Sequence, residues 1–192
     1  MVAHVTVWPQ IDGYDKKKSC TVSQPAQSVG PGWWKCQTDS LQEVMEMEYS
    51  YLGRSGMKVS RLCLGTMNFG PYTTEADSFK LMDEALDAGI NFFDTANVYG
   101  GSGNSGRTET ILGRWFAQGG GRREKVVLAT KVFGDMHNGL DGPNGASGLS
   151  AYKIRRHVEA SLKRLQTDHI ELYQMHHVDN NASWDELWEV FS

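Results

Sequence analysis

Titratable side chains of different kinds follow successive apolar runs of the sequence. Asp94 comes directly after INFF, and Tyr99 lies five residues further on. Lys131 comes after KVVLAT, and His176 comes after HIELYQM. A phenol with a pKa of about 10 is a poor acid at neutral pH, but a nearby ammonium stabilises the phenolate and lowers that pKa. Lys131 beside Tyr99 would therefore make a proton donor that works near neutrality.

These residue types suit the reduction of a carbonyl group, in which carbon receives a hydride and oxygen receives a proton. We assign the proton to Tyr99, with the Lys131 ammonium lowering its pKa and Asp94 as the counter-ion of that ammonium. His176 donates a hydrogen bond that orients and polarises the carbonyl oxygen. The predicted catalytic residues are Asp94, Tyr99, Lys131 and His176. The neighbouring His177 either faces the substrate or points into the wall of the fold, and the sequence favours neither.

A glycine loop offers an alternative interpretation of the same region. Gly101, Gly103 and Gly106 have the G-x-G-x-x-G spacing of a dinucleotide-binding loop, which would indicate a Rossmann-type dehydrogenase. Such a loop begins directly at a strand end, whereas Gly101 comes seven residues after Asp94. Glu124 lies at a suitable distance for the ribose but precedes the third strand. We therefore favour a proton-donating segment and keep the Rossmann-type enzyme as an alternative.

From Tyr49 onward the sequence alternates between strand and helix patterns. A hairpin is predicted over YSYLGRSGMKVS, followed by the strands RLCLG, INFF, KVVLAT and HIELYQM. A helix follows each of these strands, with Thr74, Ser150 and Ser183 as N-caps and Gly89 at the end of the first helix. This alternation predicts an α/β fold with a parallel sheet, either open and doubly wound or closed into a barrel. The polar residues after the strands then share the carboxyl edge of that sheet.

Four motifs in this order resemble those of the aldo-keto reductase family. They are LGRSGMKVSRLCLGTMNFG, INFFDTANVYG, VVLATKVFG and IELYQMHHVD, and the resemblance runs from about residue 49 to residue 192. It implies a (β/α)8 TIM barrel that binds NADPH without a Rossmann domain. It also implies a catalytic tetrad, which falls on Asp94, Tyr99, Lys131 and His176.

The resemblance carries further expectations about ligands and partners. The nicotinamide end of NADPH or NADP is expected near Gly65, Thr66, Met67 and Asp94, and a small aldehyde or ketone is expected near Tyr99, His176 and His177. Some proteins that resemble this family are regulatory subunits of membrane channels. A non-catalytic, cofactor-sensing interaction subunit is therefore the competing class of function.

The chain divides into two unequal parts. Residues 1–48 have no helical or strand period and are predicted to be a disordered or artefactual leader. Residues 49–192 are predicted to be a partial barrel, truncated at the C-terminus, with about four β/α units. A complete barrel needs roughly 250 residues, so much of the NADPH site is expected to be missing and the activity of the isolated chain stays open.

Composition excludes some classes of partner. The net charge of −4 argues against nucleic acid and anionic membranes, and no apolar run is long enough to span a bilayer. The odd set Cys20, Cys36 and Cys63 is typical of reduced thiols in the cytoplasm, with only weak support for a disulfide between the first two. The histidines lack metal-ligand spacing, so no metal is expected. Oligomerisation is not indicated.

The stretch KIRRHVEASLKR is predicted to be the solvated face of a helix.

Overall fold

The computed structural model describes residues 5–7, 47–142 and 145–192. Strand bounds are β1 (Val5–Val7), β2 (Tyr49–Tyr51), β3 (Lys58–Ser60), β4 (Leu62–Gly65), β5 (Phe92–Asp94), β6 (Val127–Val132) and β7 (Leu172–Met175). Helix bounds are α1 (Glu75–Asp87), α2 (Arg107–Phe116), α3 (Ala151–Leu165) and α4 (Trp184–Phe191), with a short 3-10 helix at Arg123–Lys125.

Within the described residues, one sheet has the strand order β1-β4-β5-β6-β7. Strands β4 to β7 are parallel, and each is followed by one of the helices α1 to α4. The predicted α/β fold with a parallel sheet is confirmed. Strands β2 and β3 form a separate antiparallel hairpin, as predicted.

Strand β1 is a feature that the sequence analysis did not predict. Val5–Val7 pairs antiparallel with β4, although these residues belong to the stretch 1–48 that we expected to be a leader. Residues 8–46, which hold Cys20, Cys36 and most of that stretch, lie outside the described residues. The prediction of a leader therefore stays a prediction.

Local side-chain bonds begin the helices as the sequence predicted. The Thr74 hydroxyl accepts the amide of Asp77 at 3.2 Å, and the Ser150 hydroxyl accepts the amide of Lys153 at the same distance. Ser183 caps α4 in the same way. Each hydroxyl satisfies an amide that the first helical turn leaves unpaired. Gly89 has a positive φ of 83°, which suits its predicted place just after α1.

The main core lies between the sheet and the helices. Leu64, Phe93 and Leu128 of three adjacent strands pack against Met82, Leu112 and Trp115 of α1 and α2, and the Phe93 and Trp115 rings stack at 5.7 Å. A second cluster on the opposite face of the sheet contains Val59, Cys63, Phe92 and Ala129. Burial on both faces explains why these strands are continuous apolar runs. It also gives the residues at the strand ends a rigid support.

The observed bounds of β4 to β7 differ from the predicted ones by one to three residues, and two of these differences have a visible structural cause. Strand β6 continues to Val132, because Lys131 and Val132 pair in register with Gln174 and Met175 of β7. Lys131 therefore lies inside a strand, one residue before its end. Strand β7 begins only at Leu172, since the preceding Glu171 side chain accepts the Leu128 amide and binds Arg123.

Candidate active site

The parallel register brings the predicted residues to the carboxyl edge of the sheet. Gly65 of β4 lies beside Asp94 of β5, which in turn lies beside Ala129 of β6, two residues before Lys131. Thr66 follows β4 and donates both its amide and its hydroxyl to the Asp94 carbonyl, at 3.0 and 2.9 Å. The Thr66 side chain is thus occupied in holding the ends of β4 and β5 together.

Asp94 and Lys131 form the predicted ion pair. The Lys131 Nζ atom donates to Asp94 Oδ2 at 2.6 Å and to the Thr95 carbonyl at 2.8 Å. The lysine side chain is 13% exposed and the aspartate 28%, so water is only partly excluded from the pair. Two acceptors fix the ammonium in place, which leaves its charge directed at whatever lies next to it.

Tyr99 and His176 lie next to this ammonium. The Lys131 Nζ atom is 5.2 Å from the centroid of the Tyr99 ring, within the range of a cation–π contact. The Tyr99 hydroxyl is 3.5 Å from His176 Nε2, a long hydrogen bond. The Tyr99 carbonyl accepts the amides of Gly106 and Thr108, so the beginning of α2 holds its backbone. All four predicted catalytic residues are therefore brought together.

His176 is held by backbone and ring contacts. Its amide donates to the Val132 carbonyl at 3.0 Å, and its ring stacks on His177 at 5.1 Å. Burial lowers the pKa of His176, the charges of Lys131 and His177 lower it further, and Asp94 opposes them. The imidazole is consequently neutral at pH 7 and has one N–H to donate.

The remaining predicted ligand residues differ in exposure. His177 is exposed and its ring edge lies against Phe133, so it does not point into the wall of the fold. Met67 is 53% exposed, whereas Thr66 is fully buried and Gly65 is half-buried.

The glycine loop is a connection between Tyr99 and α2. Gly101, Gly103 and Gly106 all have positive φ values, and the loop folds back so that the Gly106 amide reaches the Tyr99 carbonyl. Strands that are consecutive in sequence are neighbours from β4 to β7. A Rossmann sheet instead reverses its strand order at the dinucleotide site. This topology disfavours the Rossmann-type alternative.

Sequence reasoning missed two features near the site. Cys63 is buried in the adjacent cluster, where burial and the Asp94 charge raise its pKa to about 12 against the opposing effect of Lys131, so the thiol is inert. The predicted solvated face KIRRHVEASLKR was wrong in part, because Lys153 is 2% exposed and His157 is fully buried. Their partners come from distant loops, so the local pattern held no sign of them.

None of the helices in residues 47–142 and 145–192 combines the length and apolar character that a membrane crossing requires. Over the same residues, no cluster of three or more His, Cys, Asp or Glu side chains has a metal-binding arrangement.

Comparison with known proteins decides the family. The model of the aldo/keto reductase family matches residues 61–192. The chain belongs to the aldo-keto reductase family. It is 69% identical over 145 residues to the uncharacterized oxidoreductase YrpG of Bacillus subtilis, with 76% of this chain and 44% of the relative covered. It is 38% identical over 141 residues to a probable voltage-gated potassium channel subunit beta of Oryza sativa, covering 73% of this chain and 40% of that protein.

A solved structure supports the same fold. The holo form of the aldo-keto reductase AKR11C1 from Bacillus halodurans matches with a TM-score of 0.63 and 38% identity, over 76% of this chain and 45% of that one. The predicted TIM-barrel fold, of which this chain holds the first part, is confirmed. The chain spans less than half the length of these relatives.

Proposed function

We propose that the protein to which this chain belongs reduces an aldehyde or ketone to an alcohol with NADPH. The observation that carries the proposal is the placement of Lys131. Its ammonium is fixed by Asp94 at 2.6 Å and lies 5.2 Å from the centroid of the Tyr99 ring. Membership of a family of oxidoreductases supports this reading.

Tyr99 is the proposed proton donor. As the carbonyl oxygen gains negative charge, the phenol gives up its proton, and the Lys131 ammonium stabilises the phenolate that remains. Asp94 keeps the lysine aimed, because its carboxylate and the Thr95 carbonyl both accept hydrogen bonds from Nζ. Loss of any one of these three groups removes stabilisation that is needed mainly in the transition state.

His176 is the proposed electrophilic partner. A neutral imidazole whose Nε2 lies 3.5 Å from the Tyr99 hydroxyl places both groups around one point, where a carbonyl oxygen accepts from both. A protonated ring would add a second positive charge next to Lys131, and the lowered pKa of His176 avoids this. The exposed His177 is proposed to border the substrate.

The cofactor residues are proposed from the edge of the sheet. When bound, NADPH supplies the hydride. Gly65, Thr66, Met67 and Asp94 would lie against its nicotinamide end, with Met67 offering apolar surface and Thr66 holding Asp94 in place. The preference for NADPH over NADH is part of the proposal.

The test is Tyr99→Phe in the full-length protein, with an aromatic aldehyde as substrate and NADPH consumption as the signal. We expect kcat to fall by about 10²- to 10⁴-fold, because the acid is lost, while the Kd for NADPH stays within about twofold. Tyr51→Phe is the matched control, since Tyr51 is 65% exposed and lies in the separate hairpin β2–β3. An unchanged rate in Tyr99→Phe would refute the assignment of the donor.

A cofactor-sensing interaction subunit is the second candidate, favoured by the similarity to a probable channel subunit. It predicts that the wild-type protein binds NADPH and reduces none of a panel of aldehydes and ketones. Turnover of any of them that depends on Tyr99 would instead support the reductase.

A further inference from the structure

A polar cluster lies buried beside the proposed site but outside it. It contains Asp141 of the loop 134–149, Lys153 and His157 of α3, and Asn97 of the segment between β5 and α2. Their side chains are nearly inaccessible: Asp141 is 5% exposed, Lys153 2% and His157 0%, and Asn97 is fully buried. Such groups are costly to bury, so their arrangement calls for an explanation.

Lys153 ties the loop to α3 at several points. Its Nζ atom pairs with Asp141 Oδ1 at 2.5 Å and donates to the carbonyls of Gly134 and Ala146, at 2.9 and 2.6 Å. Gly134 begins the loop and Ala146 lies near its end. One side chain thus holds both ends of the described part of the loop, and its ammonium holds the pKa of Asp141 below the usual value in spite of burial.

His157 connects this ion pair to the catalytic segment. Its Nε2 atom lies 3.2 Å from Asp141 Oδ1, and its Nδ1 atom lies 2.9 Å from the Asn97 Nδ2 amide. Burial lowers the pKa of His157 to about 4, the charges of Lys153 and Arg164 act in the same direction, and Asp141 opposes them. The neutral ring accepts from Asn97 through Nδ1, whereas its Nε2 lies within ion-pair distance of Asp141 Oδ1 without forming a hydrogen bond to it.

Asn97 stands between two proposed catalytic residues. It lies three residues after Asp94 and two before Tyr99. Its backbone amide donates to the carbonyl of Lys131 at 3.1 Å. A side chain fixed by His157 and a backbone fixed by Lys131 together restrict the path of the chain into Tyr99.

We propose that Asp141, Lys153 and His157 are positioning residues that hold the loop 134–149 and, through Asn97, orient the segment that carries Tyr99. The inference rests on the proposed function for its effect on rate. A buried ion pair seldom stabilises a fold more than apolar side chains of similar size would. Its location next to the candidate site therefore points to a role in geometry rather than in stability.

The central variant is the double substitution Asp141→Leu with Lys153→Met in the full-length protein. Removing both charges together avoids leaving an unpaired buried ammonium, which Asp141→Asn alone would do. We expect kcat at saturating NADPH to fall about tenfold or more, while the Kd for NADPH stays within about twofold of the wild-type value. Amide hydrogen exchange should rise in both peptides 134–149 and 95–99. Glu75→Gln is the control, because it removes the exposed ion pair with Arg114 and should change none of these values.

A second pair of variants separates positioning from general loss of structure. His157→Leu removes the acceptor for Asn97, and His157→Gln retains a donor and an acceptor. We expect the glutamine variant to recover at least half of the rate that the leucine variant loses. Equal rates in the two variants, or faster exchange confined to 134–149, would overturn the proposal. If the wild type reduces no carbonyl, the proposed function fails, and exchange in 95–99 alone decides whether the positioning network exists.

Discussion

At the scale of single residues, Lys131 sets the electrostatics of the site. Its charge is one cause of the low pKa of His176, after burial. We predict that Lys131→Met raises the pKa of His176 toward its ordinary value of about 6.5, because the repulsion between two cations is removed. Titration of the histidine ring protons by NMR measures this shift.

Lys125→Met is the control for this titration, since it removes a lysine at the opposite end of β6. It should leave His176 unchanged. A His176 pKa that stays equally low in Lys131→Met would mean that burial and His177 lower it without Lys131, and the proposed charge coupling would be wrong.

The same scale shows what sequence could and could not supply. Asp94, Lys131 and His176 were predictable because each follows or ends a recognisable apolar strand, and parallel strands bring such positions together. The contact of Asn97 with His157 joins residues 60 positions apart, between a loop and a helix. No local period encodes that pairing, so a buried histidine in a charged stretch was read as part of a solvated face.

At the scale of elements, Gly113 controls how closely α2 approaches α3. A Cβ atom built there would lie 2.1 Å from the Arg164 carbonyl oxygen and 3.0 Å from Leu165 Cα, both backbone atoms. Gly→Ala in an exposed helix interior stabilises by about 1 kcal/mol. Here we predict the opposite sign, a loss of about 2–3 kcal/mol in the free energy of unfolding, because the helices must separate.

Urea denaturation of Gly113→Ala measures this loss. Gly103→Ala is a suitable comparison, since nothing lies within 4 Å of its added Cβ and only its positive φ of 70° is strained. That strain should cost about 1–2 kcal/mol. A stabilised Gly113→Ala would show that α2 and α3 are not held at this distance.

The helices and strands also differ in how well the sequence predicted their presence and bounds. The N-caps of α1, α3 and α4 depend on bonds over three residues, so they were visible locally. Strand β1 was not, because three residues paired with a strand about 57 positions later leave little pattern of their own. The extension of β6 through Val132 likewise depends on pairing with β7, which lies beyond a long loop.

At the scale of the whole molecule, the lowered pKa values of His157 and His176 make the stability of the fold depend on pH. The pKa of His157 falls from 6.5 to about 4 on folding, so protons bind the unfolded chain more tightly than the folded one. The contribution of His157 to the free energy of unfolding is therefore fully present above about pH 6.5. It is lost as the pH falls toward 4, which lowers the free energy of unfolding by up to about 3 kcal/mol. His176 acts in the same direction, and the pKa values of Asp83, Asp141 and Asp179 lie below 3.8, so these carboxylates contribute mainly at lower pH.

His157→Gln tests this origin of the acid sensitivity, because an amide does not titrate. We predict that the variant flattens the decline between about pH 6.5 and 4, while the loss of stability below that range persists from the carboxylates. Urea unfolding at several pH values gives the slope directly. His137→Gln is the control, since His137 is exposed and its side chain pairs only with Asp135 among the described residues. If the slope of His157→Gln matched that of the wild type, folding would not lower the pKa of His157. Its contacts with Asn97 and Asp141 would then have to be reassigned, and the positioning network would lose its central member.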